Sequence, residues 1–353
     1  MGVTTFTTMP QAGLPLTLPT AYVAAITNFA TGSLSFENRK DEYNALAAFI
    51  LSSPALLSLT DIQSKKKSFE RPVQIPVIKR VGISLVDGRI CNLDGQEAST
   101  DMIVITFSVK GFRIKIPKNM LDNNYLGYTQ LLADARYHGW HTWYTFMENN
   151  SINFLEANKT TSLVPDTFGV YAGAYDGQAG PQYYARLKYL MGRNLLSANG
   201  RLLDVSNGAS AVTRLLMGMN GPNNAVNQQV LLSNAADQYP TNYLVPTAGY
   251  AETHYVFPVG AVGIYHWLSP NAANREVDTP QKDYWWSEKD PMFGYFDASV
   301  HFQSKCEDKP IGYGGQSEPV YSDFYEYTVD PSFVKQYSSV VGESPIVKFN
   351  LSN

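Results

Sequence analysis

The spacing of apolar residues along the first half of the chain switches from helical to alternating and back. Between Glu37 and Ser53, Tyr43, Leu46, Ala47 and Ile50 recur at three- and four-residue steps, which predicts a helix. Ser53-Pro54 predicts its end, because a residue before proline is pushed out of helical conformation. From Val73 to Pro117 the period drops to two. Val81–Val86 reads as a strand, and Asp87-Gly88 and Asp94-Gly95 read as turns. Ile103, Ile105, Phe107 and Val109 then alternate with Val104, Thr106 and Ser108. After Gly111, Phe112, Ile114 and Ile116 alternate with Arg113, Lys115 and Pro117. Alternating runs separated by Asp-Gly and Gly predict a long antiparallel ribbon. A two-stranded ribbon is marginal in water, so this one is expected to lie on another surface.

From about Tyr125 to Asn158 the helical period returns, with Asp122 and Asn123 available as caps. Tyr128, Leu131, Leu132, Ala135, Gly139, Thr142, Phe146, Asn149, Ile152 and Leu155 mark one stripe. A helix of about 30 residues is roughly 45 Å long, far beyond the usual ~11–12 residues. It is therefore expected to span a domain. Beyond it, Val164–Pro181 reads as strand and loop, Gln182–Leu196 as a helix, and Ala211–Met217 as the start of another. Residues 218–242, rich in Asn and Gln, read as polar loops. His254–Ile264, Phe293–Phe302, Phe324–Val329 and Pro345–Phe349 read as strands. No segment repeats. The first 35 residues, Thr-, Pro- and Ala-rich and uncharged, read as an extended arm that becomes ordered against a partner. The class predicted is α+β.

Composition narrows what such a chain does. Of its 353 residues, 44% are hydrophobic, enough for a substantial core, and only 16% are charged. Tyrosine is abundant, at 23, and a surface poor in charge and rich in tyrosine points to association. The net charge of −4 argues against a dedicated nucleic-acid-binding module. Lys65, Lys66 and Lys67 form the basic concentration of the chain and read as a solvated turn or inter-subunit ion pairs, with polyanion contact the alternative. Cys91 and Cys306 belong to no CxxC pair, so neither a disulfide framework nor zinc is expected, and a reducing compartment is. Neither a signal peptide nor a ~20-residue apolar span is read, and a soluble protein folded in a cytoplasm, with no membrane partner, is expected.

Motifs for phosphate binding, zinc hydrolysis, a nucleophile elbow or calcium are absent from the sequence. His138 and His141 share a helix face but read as histidines packed beside Trp140 and Trp143. Trp285-Trp286 reads as a packed loop or a subunit contact, with a sugar-stacking platform as the alternative. Asp and Glu are too scattered to nominate a glycosidase pair. The expectation is no enzyme, no catalytic residue, no metal and no cofactor.

Taken in order, these segments resemble a tailed-bacteriophage major capsid protein with the Hong Kong 97-like fold. The resemblance rests on the ribbon Phe112–Met120 feeding straight into the helix, on its ending Leu155-Glu156-Ala157-Asn158-Lys159-Thr160, and on Val259–Ile264 followed by Trp285 and Asp290-Pro291-Met292-Phe293-Gly294. It implies an N-terminal arm with a helix over 1–72, an extended β-ribbon loop over 73–121, and a spine helix with peripheral domain over 122–185. A mainly axial domain would cover 186–310, with a return to peripheral strands over 311–353. It implies a structural protein that self-assembles, as hexamers and pentamers, into the icosahedral shell around double-stranded DNA. Assembly would take place in the bacterial host cytoplasm, with a portal and any scaffold or decoration protein as separate partners and DNA touched only non-specifically. Asp87, Gly88, Asp94, Gly95, Lys110, Gly111, Arg113, Lys115, Trp285 and Trp286 are the inter-subunit contact candidates, and Lys65, Lys66 and Lys67 the polyanion candidates. The rival readings are a jelly-roll or other virion protein, against which the long helix counts, and a carbohydrate-binding protein using Trp285 and Trp286.

Overall fold

The computed structural model describes residues 42–57, 73–78, 100–117, 128–165, 168–178, 181–193, 201–207, 236–267, 275–277, 283–310, 317–338 and 342–352. These hold three helices, α1 (Asn44–Leu56), α2 (Tyr128–Asn158) and α3 (Pro181–Arg193). The chain divides into two compact units. The first takes Tyr43, Ser108–Glu148 and His266–Pro331; the second takes Asn44–Phe107, Asn149–Tyr265 and Ser332–Asn353.

In the first unit, strands β10 (Arg275–Val277), β11 (Asp283–Lys289), β12 (Asp297–Pro310), β13 (Ser317–Lys335) and β3 (Lys110–Pro117) lie side by side in that order. Period two places Phe112, Ile114 and Ile116 on the face that also carries Tyr325, Tyr327, Val300 and Phe302. Against this aromatic face α2 sets Trp140, Trp143 and Tyr144, all buried. Phe112 stacks on Tyr327 at 4.8 Å between centroids and meets Trp140 edge-on at 5.5 Å. Gly139 makes this approach possible: a Cβ there would stand 2.3 Å from the Phe112 ring.

In the second unit the sheet runs β4 (Gly169–Tyr171), β5 (Ala174–Gln178), β14 (Val347–Ser352), β8 (Glu252–Pro258), β6 (Leu202–Ser206), β7 (Asp237–Pro240). On one face α3 places Tyr183, Leu187, Leu190 and Met191, at helical spacing, against Val256, Val347, Phe349 and Leu351. On the other face Phe49 of α1 packs on Phe257, Phe154 and Phe333. Covered on both sides, β6 and β8 are buried at every position. A third, two-stranded sheet pairs β1 (Val73–Ile78) with β2 (Thr100–Ile105) in antiparallel register.

The structure revises the strand reading in several places. The ribbon is made by 73–78 and 100–105, while 110–117, read as its return strand, is paired to β13 in the first unit. The apolar triplet Phe112, Ile114 and Ile116 needs a buried face, and the sheet supplies it. Gly111, read as a turn glycine, instead lies inside β3, where a Cβ would stand 2.0 Å from the Tyr327 carbonyl oxygen. The run 254–264 is two strands, β8 and β9 (Val262–Trp267), separated by a turn in which Gly260 has φ +88°. Likewise, 293–296 is a loop, and the strand there begins at Asp297. The arm 1–35, the strand reading at 81–86, the helix reading at 211–217 and residues 218–235 of the polar tract 218–242 lie outside the described residues, while 237–240 of that tract, read as loop, form β7.

Candidate assembly surface

The ribbon carries apolar surface that its own two strands do not cover. At its base Val73 and Ile105 are buried, and the Tyr337 hydroxyl donates to Asp101 Oδ2 at 3.0 Å. Towards the other end, register sets Gln74 opposite Val104 and Pro76 opposite Met102 on one face. Met102 and Val104 there are 51% and 52% exposed. A groove of about 410 Å³ borders β2, lined by Ile103, Ile105, Phe154, Phe333, Val334 and Tyr337 among others.

The second surface is the sheet face of the first unit turned away from α2. Arg113 lies opposite Glu326 and bonds it at 2.6 Å, and Lys115 bonds Glu307. Lys115 also stands 5.0 Å from the centre of the Phe324 ring, while Lys110, on the opposite face with Phe112, stands 5.4 Å from that of Phe146 on α2. These cations are therefore engaged within their own unit, at exposed sites where an ion pair is worth about 0–1 kcal/mol. Successive strand residues face opposite ways, so Trp285 lies opposite His301 and Trp286 opposite Val300. The Trp285 ring lies flat on His301, 3.9 Å between centroids and 8° between planes. The two indoles therefore stand on opposite faces of the sheet and do not form one platform. Asp87, Gly88, Asp94, Gly95, Lys65, Lys66 and Lys67 lie outside the described residues.

Much of the tyrosine expected at surfaces is interior. Tyr43, Tyr144, Tyr175, Tyr183, Tyr265, Tyr325 and Tyr327 are fully buried, while Tyr171, Tyr189 and Tyr321 are exposed. A buried phenol needs a partner for its hydroxyl, and carboxylates provide several. Tyr144 donates to Asp290 at 2.9 Å and Tyr128 to Asp323 at 2.9 Å. Burial and the neighbouring carboxylate push both phenols well above their usual pKa. Asp290 also accepts from the backbone N–H of Phe293 and Phe296, at 2.8 and 2.7 Å, and so shapes the Asp290-Pro291-Met292-Phe293-Gly294 loop.

The C-terminal end of α2 has a similar anchor. Asn158 Nδ2 bonds back to the Phe154 carbonyl at 2.9 Å, and Thr160 N–H donates to Ile346 O at 2.8 Å. Glu156 receives Lys159 Nζ at 2.5 Å, Tyr255 Oη at 2.5 Å and Lys348 Nζ at 3.0 Å. Partial burial would raise this carboxyl, but the three donors outweigh it and hold it at about 2. The Leu155–Thr160 ending noted in the sequence thus has a physical basis in a cap and a charge cluster.

The most enzyme-like grouping is His254 between Asp204 and Glu252, enclosed by β6, β8 and α3. Burial alone would lower the imidazole, but the two carboxylates outweigh it and raise it to about 9. All three side chains are buried, so the cluster lacks the open face a substrate needs. His141 Nδ1 meets the Tyr43 hydroxyl, and His138 is exposed beside Asp134. Among the described residues no group of three or more His, Cys, Asp or Glu is placed to hold a metal ion, and no helix is long and apolar enough to cross a membrane. The sequence reading quoted Asp290 and Glu156 within motifs without assigning them a role, and it missed the His254 cluster. Its only available sign was charge inside otherwise apolar strands, as in Glu252-Thr253-His254-Tyr255-Val256.

No protein-family model and no curated protein matches the chain. Solved structures do. A chain of Mycobacterium phage Adephagia covers 95% of this chain and 97% of its own length at 9% identity and a TM-score of 0.45. One of Mycobacterium phage Che8 covers 84% and 89% at 11% identity and TM-score 0.45, and the capsid asymmetric unit of Cyanophage Pam1 covers 81% and 86% at 10% and 0.44. The chain is similar to phage capsid chains.

Proposed function

We propose that this chain is the major capsid protein of a tailed bacteriophage, with the Hong Kong 97-like fold, and that many copies form the icosahedral shell around the genome. One observation carries this reading: a ribbon with exposed apolar residues, followed by an edge strand and then by a 31-residue helix whose residues divide between two compact units. A shell protein in many copies needs surface that is satisfied only by neighbours. Met102 and Val104, on a ribbon too thin to make its own core, supply such surface. In this reading the ribbon lies over an adjacent subunit, the N-terminal arm crosses another, and hexamers and pentamers differ by modest bends. Arg113, Lys115 and Trp285 on the open sheet face remain contact candidates, because an exposed ion pair can be exchanged for one across an interface at little cost. Portal, scaffold and DNA are the expected partners, no catalysis is required, and the site of assembly is the host cytoplasm.

The test is negative-stain electron microscopy of the purified, overexpressed protein over a range of concentrations. Closed particles, rings or curved sheets are expected, and a monodisperse monomer under every condition overturns the reading. Replacing residues 79–99 by a short Asn-Gly turn should leave a folded protein that no longer closes shells. Normal particles from that variant would remove the ribbon from the mechanism.

A further inference from the structure

We propose that the sheet of the second unit carries a proton-operated lock at His254, closed at neutral pH and opened on the alkaline side. It is a property of the single chain and is independent of the shell reading. His254 Nδ1 lies 3.0 Å from both Asp204 Oδ1 and Oδ2, and Nε2 lies 3.2 Å from Glu252 Oε2. A neutral imidazole has one N–H, so it can satisfy only one of these carboxylates. The other would then face a ring lone pair inside a site where His254 and Asp204 are 0% exposed and Glu252 is 4% exposed. Only the doubly protonated ring donates both ways and places a cation between the two anions.

Asp204 comes from β6 and Glu252 from β8. Tyr183 of α3 has its ring centroid 5.0 Å from that of His254 and its hydroxyl 3.4 Å from Asp204 Oδ2. Gln238 of β7 donates to Asp204 Oδ2 at 3.0 Å, and Phe349 of β14 lies opposite His254 in register. The next cation on β14, Lys348, bonds to Glu156. So the positive charge among these groups is the histidine's own. Its proton departs to solvent base, and what remains are two buried carboxylates across the β6–β8 seam, which relax only if the seam opens to water.

The sign follows from linkage. The folded pKa of about 9 is above the ~6.5 of an unfolded histidine, so the stabilisation is complete below pH ~6.5 and is lost as pH rises through 9. This is the reverse of the usual histidine switch, which acts by gaining charge near pH 5–6.

The experiment uses the full chain. The imidazole carbons of its five histidines are isotope-labelled and titrated by NMR, with hydrogen exchange of β6 and β8 followed in parallel. The His254 midpoint is expected near 9. Between about pH 6.5 and that midpoint, exchange in β6 and β8, corrected for the intrinsic base-catalysed rate, should rise about tenfold per pH unit, and it should level off above it. β12 and β13 of the first unit should not follow. Glu252→Gln should lower the midpoint by about one unit or more. A His254 midpoint at or below 7 overturns the proposal, as does seam exchange that tracks tyrosinate absorbance instead of the imidazole signal. An unmoved midpoint in a folded E252Q protein overturns it too, and the wild-type titration decides alone if that variant does not fold.

Discussion

The two units reach stability by different means. The first is built around aromatic rings on both sides of one interface, Trp140, Trp143 and Tyr144 from the helix and Phe112, Tyr327 and Phe296 from the sheet and loop. All five tryptophans of the chain, at 140, 143, 267, 285 and 286, fall within its boundaries. One of its buried carboxylates, Asp290, holds Tyr144 and two backbone N–H groups, and Arg136 pairs with Glu288. The second unit has no tryptophan. Its core under α3 mixes aliphatic residues with Phe168, Tyr175, Tyr183 and Phe349, and it carries a buried charged trio across strands at His254. The difference has a physical lesson: large rings tolerate an imperfect fit through area, whereas a buried charged trio depends on one protonation state.

The same difference makes the units separable by measurement. Tryptophan fluorescence reports the first, and hydrogen exchange in β6, β8 and β14 reports the second. The largest effect is expected from Phe349→Ala. Phe349 is fully buried, stacked on Tyr175 at 5.3 Å and edge-on to Tyr183 at 5.2 Å. Removing it should cost about 3–5 kcal/mol in the second unit. Exchange there should accelerate at denaturant concentrations where tryptophan emission has not moved. Simultaneous loss of both signals would show that the units unfold as one.

Gly139→Ala tests the first unit from the opposite direction. Alanine is the better helix former by about 1 kcal/mol, yet its Cβ would meet Phe112 ring carbons at 2.3 and 2.4 Å. Overpacking should prevail, with a net loss of about 1–3 kcal/mol in the fluorescence-detected midpoint. A gain in stability would mean that the aromatic interface yields more readily than the contact implies.

The smallest effect is expected from Glu156→Gln. The carboxylate is 44% exposed, so screening limits its contribution to about 0.5–1 kcal/mol. Its pKa is held at about 2 against an ordinary 4.5, so the contribution is present above pH 4.5 and disappears as pH falls towards 2. Wild type and variant should therefore differ at pH 6 and converge near pH 2. A constant difference across that range would place the effect elsewhere than in the charge.

Periodicity alone determined much about this protein. The helix expected from Tyr125 to Asn158 is Tyr128–Asn158, and that expected over 182–196 is Pro181–Arg193, because amphipathic spacing is written locally. Of the alternating runs, 100–105 and 110–117 are strands for the same reason, whereas 106–109, read as a continuation of the first, is not a strand and 81–86 lies outside the described residues. Which strands pair was not legible. Phe112, Ile114 and Ile116 alternate as Ile103 and Ile105 do, yet one run enters the sheet beneath α2 and the other forms the ribbon. Alternation specifies that a strand has an apolar face but not which distant surface covers it. Gly111 and Gly139 likewise read as a turn and a helix position, and only the fold brings the Tyr327 carbonyl and the Phe112 ring against them. The buried charges were hidden most deeply: Asp204 lies 48 residues before Glu252 and 50 before His254 in the chain. What an ionisable side chain does depends on the partners and the exclusion of water around it, and those are created only when the strands that carry them are brought side by side.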